Sequence, residues 1–401
     1  MITDPMAIFA VCAGICALVF WSTEQSWAKK FYKIIPSIAL IYYIPTFATT
    51  FGILPSSSPV YVWMKDYLLP FSLFILMITT DLPTILKIGP KALAMMAIGT
   101  LGVVVGGPVA LLIFKQWVPP DTWKGLAALS GSWIGGGANF AAIKESVGAP
   151  DSIIGPIIIV DTAVGYTWMG VLLFLANHQK GIDRWNKADT RVLEDLNRRL
   201  KDFQKNQMKP ISLPDASAII AIGILGAVVC QFLAGIVFDI TDPFFKEYLP
   251  TVATIFSKFT WTVILISTIG ILLSFTPLKK IEGSGASKLG YAALYLFLTS
   301  IGAKADLAGI AAAPILLAVG AVWIIIHVSF LIIGARLLRA PLFLLAVGSQ
   351  ANIGGAASAP IVAGAYYQAM APVGLLMGIF GYVLGNYAGL LCAYFLQLVG
   401  G

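Results

Sequence analysis

Apolar runs long enough, or nearly long enough, to cross a bilayer as helices recur along the whole chain. In the first half they lie at about 5–21, 34–54, 67–82, 91–114 and 151–175. In the second half they lie at about 214–238, 251–275, 288–303, 310–334 and 371–398, and two further runs, at about 123–147 and 341–366, are interrupted by glycine. Backbone N–H and C=O groups find no water in the hydrocarbon layer, so runs of this length must satisfy them internally as helices. The chain therefore reads as an all-α polytopic membrane protein. Its charged fraction of 11% fits that class, since a soluble protein carries about 25%. The net charge of +7 comes from the loops, and the positive-inside bias of membrane proteins accounts for it better than nucleic-acid binding does.

The two interrupted runs are the unusual part. Ser130-Gly-Ser-Trp-Ile-Gly-Gly-Gly-Ala-Asn139 has glycine, serine and asparagine where a plain span would carry Leu and Val. Ser349-Gln-Ala-Asn-Ile-Gly-Gly-Ala-Ala-Ser358 repeats the pattern: Ser130 falls on Ser349, Ile134 on Ile353, Gly135-Gly136 on Gly354-Gly355, and Asn139 on Ser358. Small residues let membrane helices pack closely. Packing alone explains the glycines, but not the amides and hydroxyls among them, nor their repetition. Paired Gly-interrupted segments in two halves of a chain point to a transporter binding site. Further matches keep the same order with slightly drifting offsets: Thr80-Asp81-Leu82 with Ala305-Asp306-Leu307, Gly89-Pro90 with Ala313-Pro314, and Gly165-Tyr166 with Gly381-Tyr382.

A duplication of this kind predicts two repeats, residues 1–175 and 214–401, joined by a linker at 176–213. That linker holds nine Lys and Arg, from Lys180 to Lys209. Within it, residues 188–207 pattern as a short amphipathic helix with Val192, Leu196, Leu200 and Phe203 on one side. If each glycine segment is a re-entrant hairpin of two half-helices, the repeats have inverted topology, with ten crossings and both termini outside. A broken helix that crosses is the competing arrangement. The inverted arrangement places most of the 26 Lys and Arg, the linker included, on the cytoplasmic side. The N-terminus lacks a basic n-region, so the first run is expected to stay as a helix. Cys12, Cys16, Cys230 and Cys392 all fall in apolar runs and read as small hydrophobes. Two separated histidines, His178 and His327, do not make a zinc site.

Asp161 lies ten residues into an apolar run, and an ionisable residue there is by default functional. Its repeat equivalent is Met377, which suits a single cation site. Asp161 can bind Na⁺ with Thr162, Asn139 and freed backbone carbonyls, or it can carry a proton. Its structural alternative is to hold the broken backbone of the hairpin. Around the breaks, Ser130, Ser132, Gly136, Gly137 and Asn139 face a second set: Ser349, Gln350, Asn352, Gly354, Gly355 and Ser358. Together they form an uncharged polar site, and half-helix N-termini beside it suit an anionic group. Asp81 and Asp306 read as helix caps, Lys144 and Glu145 as an interfacial pair, and His327 as a structural histidine. Asn386 is a weaker site candidate, and Trp21, Trp27, Trp117 and Trp123 look like interface anchors.

These motifs carry a resemblance. Thr-Thr-Asp-Leu at 79–82, Lys-Ile-Gly-Pro-Lys at 87–91, Gly-Ser-Trp-Ile-Gly-Gly-Gly-Ala-Asn at 131–139, Val-Asp-Thr-Ala-Val at 160–164 and Ala-Asn-Ile-Gly-Gly-Ala at 351–356 resemble an uncharacterised membrane family. It is found in bacteria and plants and catalogued as domain of unknown function 819. The family name carries no substrate. More distantly, the plan is similar to the superfamily of sodium/bile-acid symporters, cation/proton antiporters and 2-hydroxycarboxylate transporters. That resemblance implies paired discontinuous helices crossing at mid-membrane. It also implies a core domain from about 91–175 and 310–398 that moves against a panel, with possible dimer contacts through the panel. It implies cation binding at Asn139 and Asp161, and the Ser358 equivalent of Asn139 argues against a second, symmetric cation site. The expected function is Na⁺- or, less favoured, H⁺-coupled secondary transport of a small anionic organic solute in the bacterial inner membrane. The alternative is a cation/proton antiporter without an organic substrate. No Ser–His pairing, His-Glu-x-x-His motif or Walker sequence is present, so neither an intramembrane enzyme nor ATP-driven transport is expected, and no cofactor beyond the coupling ion.

Overall fold

The structure, a computed structural model, describes residues 2–32, 35, 37–191, 193, 211–305, 313–367 and 370–401. The described residues are helical almost throughout. In the first half the helices are α1 (Pro5–Glu24), α2 (Ser37–Thr50), α3 (Pro59–Ile78), the short α4 (Leu82–Leu86), α5 (Pro90–Phe114), α6 (Thr122–Gly135), α7 (Gly137–Ser146) and α8 (Asp151–Ala176). A linker helix follows, α9 (Gln179–Asn186). The second half has α10 (Leu213–Tyr248), α11 (Pro250–Ile255), α12 (Lys258–Ser274), α13 (Ala286–Lys304), α14 (Ala313–Leu338), α15 (Leu342–Ile353), α16 (Gly355–Tyr366) and α17 (Ala371–Gly400). Among the described residues, seven helices are long and apolar enough to span a membrane: α1, α3, α5, α8, α10, α14 and α17. The other three runs expected to cross form helices of 14, 17 and 19 residues: α2, α12 and α13.

Leaving aside the short α4 and α11, the order of elements recurs: four helices, a helix pair broken at glycine, then a last helix. Packing follows the same division. Helices α1–α3 pack with α10, α12 and α13, while α5–α8 pack with α14–α17. In the second group α5 and α14 lie against each other along glycines. Trp323 Nε1 donates to the Val103 carbonyl at 2.8 Å, and His327 Nδ1 to the Gly99 carbonyl at 2.9 Å. As the residue number rises on one helix it falls on the other, so α5 and α14 run antiparallel. A carbonyl only accepts, so His327 carries its proton on Nδ1, and its Nε2 accepts from Ser349 Oγ at 2.9 Å. With both nitrogens engaged in a fully buried site, His327 is the structural histidine expected.

Some details differ from the sequence reading. The third helix begins at Pro59 rather than 67, running through a π-helical turn at Met64–Leu68. Lys65 and Asp66 interrupt the apolar run, yet both side chains are half-exposed and the backbone stays helical. Trp21, Trp27 and Trp117 are exposed, but Trp123 is 6% exposed and belongs to the interior, where it faces Gly400 of α17. Asp81 caps α4, accepting from the Thr84 N–H, and pairs with Lys279 at 2.8 Å. Asp306, Val192, Leu196, Leu200 and Phe203 lie outside the described residues.

The start of the linker is clamped to the second group. Asp183 accepts from the Leu342 N–H at 2.6 Å, and Asn186 donates to the Ala335 and Ala340 carbonyls. Asp189 N–H bonds the Arg339 carbonyl, and its carboxylate pairs with Lys91 at 3.2 Å. Hydrogen bonds from Arg191 and Lys91 hold that carboxyl down at about 2.

Candidate functional site

Both glycine segments fold back on themselves. Gly136 has φ +78° and ends α6, a conformation that costs a residue with a Cβ far more than it costs glycine. Beyond it α7 returns along α6: a methyl group on Gly131 would sit 2.7 Å from the Asn139 carbonyl oxygen and 3.0 Å from Ile143. In an uninterrupted helix residues 131 and 143 would be about 18 Å apart. The second break falls at Gly354 and Gly355, the latter at φ +59°. There the Phe343 ring lies 6.2 Å from Tyr366 and 5.5 Å from Tyr367, residues that a straight helix would carry about 35 Å away.

Helices α8 and α17 each run past both breaks. On α17, a methyl group on Gly378 would come within 2.5 Å of Ala356 Cα in the second hairpin. One turn on, Gly381 lies against the Ile134 carbonyl of the first hairpin. On α8, Asp161 bonds the first hairpin, and a methyl group on Gly165 would lie 3.6 Å from the Ile353 side chain of the second. The two tips therefore meet α17 at levels about one helical turn, roughly 5 Å, apart along its axis. These contacts are reciprocal. Gly381 meets Ile134 while its repeat partner Gly165 meets Ile353, the repeat partner of Ile134.

The polar side chains divide into three clusters. Asp161 accepts from Ser132 Oγ at 2.8 Å and from Trp133 Nε1 at 2.9 Å. Both donors are neutral, and among the described residues no Lys or Arg pairs with this carboxylate. Thr162 is partly exposed beside it, and Ser130 instead bonds the Ala127 carbonyl within its own helix. In the second cluster, Asn139 donates to Asn386 Oδ1 at 2.9 Å and the Tyr382 carbonyl at 3.2 Å. Asn386 donates onward to Ser267 of α12 at 2.7 Å. The Asn139 Oδ1 is buried with no hydrogen-bond donor among the described residues. Asn139 and Asp161 share no hydrogen-bond partner, so the pair expected to bind one cation has two separate surroundings.

In the third cluster, on the second hairpin, Asn352 is spent on packing. It donates to the Met96 and Gly348 carbonyls and accepts from Thr100 at 2.9 Å. Ser349 joins His327 to Trp168, whose Nε1 donates to it at 2.8 Å. Gln350 donates to Ser358 at 2.7 Å across the break, while its Oε1 is buried without a donor among the described residues. Gly354 lies directly against that pair, and Gly137 faces Ile38 of α2. Replacing Asn352 by Ala should act on stability rather than binding. The Thr100 hydroxyl keeps its bond to the Met96 carbonyl at 3.1 Å, but three buried side-chain bonds of the amide are lost, about 1–3 kcal/mol in all, read as a lower melting temperature. An unaltered melt would show that these bonds are not needed.

Two buried amide oxygens without donors, Asn139 Oδ1 and Gln350 Oε1, flank the breaks. The Gly381 carbonyl and the Asn139 amide oxygen both lie close against Gly135. Amide and carbonyl oxygens are the ligand type that a hard cation such as Na⁺ prefers. Trp168 and Ser267 enter these clusters without having stood out in the sequence, and Trp133 and Tyr382 stood there only as motif and repeat positions, because aromatic and hydroxyl residues are common in spans. At the far end of α7, Lys144 is 3% exposed and pairs with Glu145 and Asp151, each at 2.7 Å. Asp151 also reaches Lys304 of α13 at 3.3 Å, joining the two helix groups.

The long apolar helices and the two folded-back segments define a polytopic membrane protein with transporter-like helical packing. The chain belongs to the family described as Protein of unknown function (DUF819), whose model matches residues 10–399. It is also similar to the uncharacterized membrane protein YjcL of Bacillus subtilis (strain 168), with 27% identity over 356 residues, 85% of each chain.

Proposed function

We propose that this protein is an ion-coupled secondary active transporter, with Na⁺ ahead of H⁺ as the coupling ion, that carries a small anionic organic solute. The observation that carries this reading is the meeting of two folded-back segments beside an unneutralised carboxylate, Asp161. An intramembrane carboxylate held only by neutral donors is stabilised by a cation or a proton, which makes it a coupling group. The solute would lie between the tips, near Gln350 and Ser358. The group formed by α5–α8 and α14–α17 would be the core, moving in an elevator-like way against a panel of α1–α3 and α10–α13. The antiparallel α5 and α14 and the reciprocal Gly–Ile contacts support inverted repeats, because equivalent helices related by an in-plane two-fold must run in opposite directions. The Lys144–Asp151–Lys304 cluster is then a core–panel contact that has to break during transport. In this proposal the protein sits in the bacterial inner membrane with the linker at 176–213 cytoplasmic, and the panel forms any homodimer contact.

The internal bonding of Ser349 and Asn352 favours a second reading, cation/proton antiport without an organic substrate, since it leaves fewer free groups for a solute. Reconstituted protein subjected to Na⁺ and pH jumps, with and without a series of mono- and dicarboxylates, separates the two. Under the first reading, currents require both the ion and an acid. Gln350→Ala combined with Ser358→Ala should then reduce the acid-dependent current at least tenfold, about the loss of one good polar contact. Exchange of Na⁺ for H⁺ with no acid present, unchanged in the double variant, would establish antiport. The absence of any gradient-driven current would remove both.

A further inference from the structure

Away from the hairpins, a groove of about 290 Å³ lies between the linker helix α9 and the last two turns of α14. Trp185, Ile332, Ile333, Arg336 and Leu337 line it. The Arg336 guanidinium lies over the Trp185 ring, 4.9 Å from its centre, and donates to the Trp185 carbonyl. That bond uses one of its five N–H donors. Ile332, Ile333 and Leu337 are 42%, 60% and 78% exposed on the side of a 26-residue apolar span. A helix of that length covers about 39 Å, so its final turns reach the level where acyl chains give way to headgroups.

The charge around the groove is net positive. Arg184, Lys187 and Arg339, within two residues in sequence of its lining, are exposed, and none of these three nor Arg336 makes an ion pair among the described residues. The neighbouring acids are already engaged: Asp183 with the Leu342 N–H and Gln179, Asp189 with Lys91 and Arg191. An exposed apolar groove that ends at an arginine lying over a tryptophan ring has the chemistry of a phosphodiester site with room for a chain. Basic pockets of this sort at the membrane surface recognise anionic headgroups.

We propose that this groove binds an anionic phospholipid from the leaflet on the linker's side. The headgroup phosphate accepts from Arg336, and one acyl chain lies along Ile332, Ile333 and Leu337. Because Trp185 belongs to the linker helix and Arg336 to α14, the lipid joins the two and holds the linker in its docked position. The inference depends on the membrane-spanning fold and not on what is transported.

The test is thermal unfolding of the full chain in a neutral detergent, titrated with phosphatidylglycerol or with phosphatidylcholine of the same acyl chains. Phosphatidylglycerol should raise the melting temperature and phosphatidylcholine should do so far less. Arg336→Ala should weaken the phosphatidylglycerol response roughly fivefold, the expected effect of one cation near a charged membrane surface. Glycerol phosphate without acyl chains should have no effect. Equal responses to the two lipids in the wild-type protein would overturn the proposal even if the variant fails to fold. So would an undiminished response in Arg336→Ala, or a full response to glycerol phosphate, which would indicate a simple anion site.

Discussion

Asp161→Asn should abolish the ion-specific stabilisation of this protein while leaving it folded. A cation that binds only the native state adds about 2.7 kcal/mol at a concentration one hundred times its dissociation constant, so wild-type protein should melt higher in NaCl than in choline chloride. The substitution keeps size and shape. Its carbonyl can accept from Ser132 or Trp133, each of which now bonds a carboxylate oxygen, while its amide group displaces the other donor. The structural loss is about 1 kcal/mol, the typical worth of one hydrogen bond. Asp161→Ala is a poorer probe, since it strands the Trp133 N–H in the interior. Comparing the two salts for both proteins gives a difference of differences that a general loss of stability does not imitate. A sodium shift that survives in Asp161→Asn would move the cation to the orphaned Asn139 oxygen, and Asn139→Ala would then be the variant that erases it. No sodium shift in the wild type would leave the proton as the coupling ion, with the same variant flattening the response to pH.

Much of this arrangement is legible in the sequence, for a simple reason. In a chain that is 58% hydrophobic, glycine runs, amides and a lone carboxylate are rare enough to mark the sites where the backbone breaks. The pairing of Ile134 with Ile353 and of Gly165 with Gly381 also anticipates the reciprocal contacts at the tips. Hydropathy does not say which way each polar side chain faces. Helices apolar on every side offer no amphipathic stripe to orient them. Asn352 and Gln350 are two residues apart and look alike in sequence. On α15, one turns to α5 and is fully bonded, while the other turns to the break and keeps an open oxygen. Ser132 and Asn139 likewise belong to one motif, yet the first meets α8 and the second α17. The contact between Trp185 and Arg336 joins positions in different halves, and neither residue carries a local signal of it.

The stability of the paired tips should depend most on Gly381. A methyl group there would overlap the Ile134 carbonyl oxygen, which belongs to backbone and cannot rotate away as a side chain does. Relief requires α17 to shift from the first hairpin. The same helix holds the second hairpin through Gly378, one turn earlier, where a methyl group would come within 2.5 Å of Ala356 Cα. A shift at one contact is therefore transmitted to the other. Overpacking of a tight interior costs about 1–3 kcal/mol, and rigid backbone on both sides puts Gly381→Ala at or above the upper end. Gly170→Ala is the matched control: it lies on α8, has nothing within 4 Å of the added carbon, and trades a flexible helical glycine for a better helix former. That change should be neutral or stabilising by up to about 1 kcal/mol. Thermal melts followed by size-exclusion recovery would rank the two. If Gly381→Ala melts with the wild type, α17 is not packed against the Ile134 carbonyl, and the two hairpin tips do not meet on it. If it melts early and Gly170→Ala does not, the close approach of backbone to backbone is what holds the tips together.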